Sequence, residues 1–183
     1  MVDHIVYLQG FNSSPWSTKA QQFEKILANE YPQVQVHTPQ LATWPAQAMQ
    51  KVAALVESLT GKVAFVGSSL GGFYATWLAN KFAAKAVLIN PAVQPDVLLQ
   101  SMLGPQRNYH TDDGEYELTH EHMAQLRELT LEQIKVPEQL LVLLQTDDET
   151  LDYEQAVEYY KRCQLDIEQG GSHAYDNFPQ RIP

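Results

Sequence analysis

Short apolar runs alternate with longer amphipathic stretches along almost the whole chain. His4–Leu8, Val34–His37, Val63–Val66, Ala86–Ile89, Leu140–Leu144 and Leu165–Glu168 are too short for helices, and several are nearly continuous in apolar residues. Runs of this kind predict strands buried on both faces of a sheet. Between them, Thr18–Glu30, Pro45–Leu59, Leu70–Phe82, Asp96–Leu103, Leu118–Leu129 and Asp152–Arg162 carry apolar residues three and four positions apart, the spacing of helices with one buried face. Pro45 suits the first turn of its helix, and Gly61 follows the end of the same one. The alternation predicts an α/β fold, a doubly wound and mostly parallel sheet of about six strands flanked by helices. No repeat, low-complexity tract or linker interrupts it, so residues 1–183 read as one domain. The longest departure is 91–137, whose centre from Gly104 to Gly114 is polar and rich in turn formers. That segment is a candidate lid or cap, with an inert solvated excursion as the alternative.

Composition narrows the classes of function. The 183 residues are 44% hydrophobic, which suits a sizeable core. Twelve basic against twenty-two acidic residues give a formal charge of −10, which argues against general binding to nucleic acid or anionic membranes. Met1-Val2-Asp3-His4 leads directly into an apolar run with no basic n-region or cleavage pattern, so a core strand is expected there and not a signal peptide. No apolar stretch is long enough to span a bilayer. Cys163 is the only cysteine, which excludes an intramolecular disulfide and disfavours a structural zinc cluster. The expectation is a cytoplasmic protein without nucleic-acid or membrane partners.

The candidate chemistry begins at Val63–Ala75, where an apolar strand pattern ends in Gly67-Ser68-Ser69-Leu70-Gly71 and a helical pattern follows at once. A sharp strand-to-helix turn of this kind is the nucleophile elbow of an α/β-hydrolase, lifting a serine Oγ above the sheet edge. Ser69 is the candidate nucleophile. Its hydroxyl needs a base, and the base needs a carboxylate that fixes its tautomer. In this fold the partners follow in the order acid, then histidine, on loops after later strands. His173, in Gln169-Gly170-Gly171-Ser172-His173-Ala174, follows the last strand candidate and is the expected base. His4 and His37 fall within strands as packing residues, His110 lies in the long connection, and His120 and His122 lie in or beside a polar helix.

The acid is expected in Gln145-Thr146-Asp147-Asp148-Glu149-Thr150-Leu151-Asp152. Asp148 is the choice, because many α/β-hydrolases carry an Asp here before an apolar turn and a further helix. Asp147 is one turn phase away and stays open. Glu149 and Asp152 suit the start of the next helix, and Asp176 is too close in sequence to His173 for the usual geometry. The oxyanion donors are expected from the backbone N–H of Leu70 and that of Phe11, in the loop after the first strand. That loop has no Walker or dinucleotide-binding pattern. His120-Glu121-His122 lacks metal-ligand spacing, since neighbouring helical positions do not share a face. No cofactor and no metal are expected.

The combination of Tyr7–Pro15, Val66–Leu78, Asn90-Pro91-Ala92-Val93, Leu143–Thr146, Leu151-Asp152-Tyr153 and Gly170–Ala174 resembles the small bacterial YqiA-type esterases over nearly the whole chain. The resemblance implies an esterase acting on carboxylic esters or acyl thioesters, with Ser69, Asp148 and His173 at the matching triad positions. The chain departs from the family where relatives tend to have Gly-Asp-Glu in place of Asp147-Asp148-Glu149. It also ends ten residues after His173, where α/β-hydrolases usually add a helix, so either a truncated chain or an open sheet edge is expected, with marginal stability or self-association through that face. The aromatics Phe11, Trp16, Phe73, Tyr74 and Tyr175 are candidates to line an acyl pocket. Two rival functions share these features: a peptidase on the same triad, and a catalytically idle fold that binds a small ligand or partner.

Overall fold

The computed structural model describes residues 2–108 and 114–182, and six parallel strands run through its centre. In chain order the elements are β1 (His4–Leu8), α1 (Thr18–Glu30), β2 (Gln35–His37), α2 (Pro45–Ser58), β3 (Val63–Ser68), α3 (Leu70–Phe82), β4 (Lys85–Ile89), α4 (Pro95–Leu98), β5 (Gly104–Arg107), β6 (Glu115–Leu118), α5 (His120–Leu129), β7 (Leu140–Gln145), α6 (Tyr153–Tyr159) and β8 (Gln164–Glu168). The large sheet has the order β2-β1-β3-β4-β7-β8. The chain starts in the middle, winds out to β2, then crosses back over β1 to β3 (His4 pairs with both Gln35 and Val63). Winding therefore reverses between β1 and β3, and the loops leaving their carboxyl ends diverge around a crevice where open α/β sheets bind ligands. Ser69 lies at that crevice.

Strand alternation divides the core between two faces. Val6, Leu8, Phe65, Leu88, Val142 and Leu144 point to one face and are covered by α2, α3, α5 and α6. Tyr7, Val66, Ile89 and Leu143 point to the other, against Ala20, Phe23 and Leu27 of α1. The expected bare sheet at the end of the chain is partly covered. After His173 the chain turns back, and buried Phe178 stacks on Phe23 with ring centroids 6.3 Å apart. Arg181 anchors this turn to Asp166 and Glu168 on β8. Ile5, Val87 and Leu141, nearer the opposite ends of their strands, are only partly buried.

The 91–137 connection differs from its sequence reading. Instead of one helix over Asp96–Leu103, α4 is four residues long and passes into a 3-10 turn at Leu99–Met102. The chain then pairs as an antiparallel hairpin, β5 with β6, in which Gly104 opposes Leu118. That pairing takes Leu118 out of the predicted helix, and α5 starts later behind a capping box of Thr119 and His122. Pro105 is tolerated because a two-stranded ribbon leaves one edge of each strand unpaired. Arg127 Nε donates to buried Asp96 Oδ2 at 3.1 Å and ties α5 to α4. His110 and the centre of the turn-rich stretch lie outside the described residues. No described helix is long and apolar enough to cross a membrane.

Candidate active site

Between β3 and α3 the backbone turns within one residue, and Ser69 takes φ 55° and ψ −119°. Two glycines permit that turn by close approach. A Cβ on Gly67 would stand 2.1 Å from the Gly71 carbonyl oxygen, and one on Gly71 would stand 2.0 Å from that of Leu8. Any side chain at either position would force strand and helix apart. The Ser69 carbonyl is absorbed into the start of the helix, accepting from Gly72 and Phe73 N–H groups. The hydroxyl is left free to face the crevice.

His173 Nε2 lies 3.1 Å from Ser69 Oγ. On the other side of the ring, Nδ1 lies 2.8 Å from Asp148 Oδ2 and 3.0 Å from Oδ1. An ionised carboxylate can only accept, so the Nδ1 proton is directed at Asp148 and Nε2 is left to accept from the serine hydroxyl. The Asp148 side chain is 2% exposed. Burial alone would push its pKa up, yet hydrogen bonds from His173 and from the Leu151 and Thr150 amides hold it below the usual value. Oδ1 accepts from both amides at 2.8 Å. Asp147 is exposed and sits one residue outside this turn, its N–H bonded to the Gly170 carbonyl. Glu149, expected to serve the next helix, instead accepts from the His173 N–H at 2.9 Å, which lowers its pKa. Asp152 does cap α6, accepting from Glu154 N–H. Asp176 accepts from the Ser172 hydroxyl.

Two residues with no role assigned from sequence hold the histidine loop. Asn90, buried at the end of β4, donates to the carbonyls of Ser172 (3.0 Å) and His173 (3.3 Å) and accepts from Gln145 N–H. Gln145, buried at the end of β7, accepts from the Ser172 and Asp176 N–H groups and donates to Glu168 and the Asp176 carbonyl. Their signal in the sequence is slight: a polar residue directly after an apolar strand, on the ligand side of an α/β sheet.

Ser69 and His173 open into a cavity of about 570 Å³. Phe11 and Leu70 line it, and neither backbone N–H donates a hydrogen bond among the described residues. Ala92, Pro95, Leu98, Leu99 and Met102 form an aliphatic wall, while Lys19, Ser17 and Ser68 form a polar one. Of the five aromatics expected there, only Phe11 lines this cavity. Phe73, Tyr74 and Tyr175 are buried in the core, and Trp16 is 70% exposed. The loop bearing Phe11 is tied to the hairpin through Asn12, which accepts from the Tyr116 hydroxyl (2.6 Å) and donates to Gln106 (3.1 Å). Among the described residues, no group of three His, Cys, Asp or Glu side chains is arranged to hold a metal ion.

Solved structures share this architecture at low sequence identity. Alpha/beta hydrolase domain-containing protein 10 from mouse superposes with a TM-score of 0.73 at 15% identity, covering 100% of this chain and 86% of that one. An esterase from Pyrococcus furiosus gives 0.71 at 15% identity, covering 99% and 80%. Est1E from Butyrivibrio proteoclasticus, in a structure with ferulic acid bound, gives 0.67 at 15% identity, covering 98% and 84%. These likenesses establish the α/β-hydrolase fold. Residues 4–183 also match the model of an uncharacterised protein family, UPF0227. The chain is thus a member of UPF0227, the YqiA family, built on the α/β-hydrolase fold.

Proposed function

We propose that the protein is a serine hydrolase that cleaves carboxylic esters or acyl thioesters through Ser69, His173 and Asp148. The observation that carries this reading is the unbroken hydrogen-bond chain from Ser69 Oγ through His173 to a buried carboxylate. His173 takes the hydroxyl proton as Oγ attacks the carbonyl carbon, and Asp148 stabilises the imidazolium that forms. The Phe11 and Leu70 N–H groups receive the oxyanion, an interaction worth about 3–4 kcal/mol per donor in comparable sites. His173 then protonates the departing alcohol or thiol, and water resolves the acyl-enzyme with the same groups in reversed roles. Within the segment 91–137, α4 and the turn after it cap the site by supplying the aliphatic wall. The test is labelling with a fluorophosphonate followed by peptide mass mapping. One adduct per chain, on Ser69, is the expected result. Folded protein that takes up no adduct overturns the reading.

A further inference from the structure

Lys19, the second residue of α1, is a half-buried cation in the wall of the same cavity. Its Nζ donates to Ser68 Oγ at 2.8 Å, so the ammonium stands beside the residue that precedes Ser69. The ring of Phe178 lies 5.8 Å away. No described carboxylate forms a salt bridge with it, although acidic residues outnumber basic ones by twenty-two to twelve. One hydroxyl acceptor leaves two of its three N–H donors for another partner. A cation drawn this far from water is costly unless it is paired. Burial accordingly pushes its pKa down to about 8, with the Asp148 charge opposing that shift.

A lysine whose task was to hold Ser68 would need no charge, since a neutral donor could do the same. The feature that a neutral side chain could not supply is an ammonium facing the cavity, with aliphatic Pro95, Leu98, Leu99 and Met102 also in its lining. Resting on the reading of Ser69 as nucleophile, we infer that Lys19 selects esters that also carry a carboxylate, so that the substrate is an amphiphilic monoanion. One ammonium balances one negative charge. The nearby Asp148 and the net charge of −10 disfavour a dianion such as a phosphate monoester.

The experiment compares monomethyl esters of dicarboxylic acids, from succinate to adipate, with their dimethyl counterparts at pH 7. Each pair offers the same scissile bond with and without the distal charge, and hydrolysis gives methanol and the acid in every case. For at least one chain length, the wild-type kcat/KM per ester bond is expected to favour the monoanion about tenfold. Lys19→Met should collapse that preference, lowering kcat/KM for the monoester about tenfold more than for the dimethyl ester, and Lys19→Arg should retain part of it. Equal wild-type rates for charged and neutral esters at all lengths overturn the inference. So does a Lys19→Met variant that loses both activities equally, the signature of a merely structural lysine. Calorimetric binding of the same esters to Ser69→Ala protein separates this inference from the hydrolase reading. Tighter binding of the monoester without any wild-type hydrolysis sustains the role of Lys19 and removes the hydrolase reading. Hydrolysis without a charge preference does the reverse, and neither preference nor hydrolysis removes both.

Discussion

At Ser69 the backbone occupies a region that a side chain disfavours by about 1–2 kcal/mol. The strain is held by neighbours on both sides: the Ser69 N–H bonds to the Ile89 carbonyl, and its own carbonyl anchors the first turn of α3. The two adjacent carboxylates in the loop after β7 offer a sharp test of the site. Asp148→Asn should lower kcat by about 10³–10⁴, because the amide favours the wrong histidine tautomer. Asp147→Asn should leave kcat within about threefold, since its side chain does not reach the ring. Steady-state kinetics of the two purified variants decides between them. At this scale the meeting of Ser69 and His173 in space is legible in the sequence, because each sits in a local pattern with a fixed place in the chain order. Choosing between Asp147 and Asp148 needed the phase of a turn, which one residue of register reverses. Asn90, Gln145 and Lys19 are illegible in their contacts, because each bonds to a residue at least twenty-seven positions away, known only once the sheet is assembled.

The elements that aim His173 are the ends of β4 and β7, acting through two buried amide side chains. Asn90 has both a donor and an acceptor engaged, so removing the amide leaves the Gln145 N–H and two carbonyls of the histidine loop short of a partner. Asn90→Ala is expected to destabilise the fold by about 2–3 kcal/mol. It should also lower kcat/KM by roughly 10- to 100-fold, because a base displaced by about 1 Å loses its line to the serine. Chemical denaturation and ester kinetics measure the two effects separately. The six parallel strands and their helices were readable because their apolar runs have a clear period. The hairpin was not. Gly104–Arg107 and Glu115–Leu118 each bury little and carry few apolar residues, so their pairing leaves almost no mark on local composition. The contraction of α4 follows from the same cause, since the chain must leave its helix early to reach Gly104.

For the molecule as a whole, the half-buried Lys19 links stability to pH. Its pKa falls from the ordinary value near 10.5 to about 8 on folding, so between these values the unfolded chain binds more protons than the folded one. Stability contributed by this group therefore rises with pH across that window. The unfolding free energy of wild type relative to Lys19→Met should climb by about 1–2 kcal/mol from pH 8 to pH 10, after allowance for the partial exposure of the side chain. Urea titrations at a series of pH values read it directly. A flat difference would mean that the ammonium is as well solvated in the folded protein as in the unfolded chain. On the proposed hydrolase reading, the long sequence interval between Ser69 and His173 has a consequence for the newborn protein. Ser69 and His173 are 104 positions apart. A ribosome adding about 5–20 residues per second makes the serine roughly 5–20 seconds before the histidine. Throughout that interval the nascent chain carries a hydroxyl no more reactive than any other serine, so the emerging polypeptide cannot attack esters or acyl carriers around it before its last strands are in place.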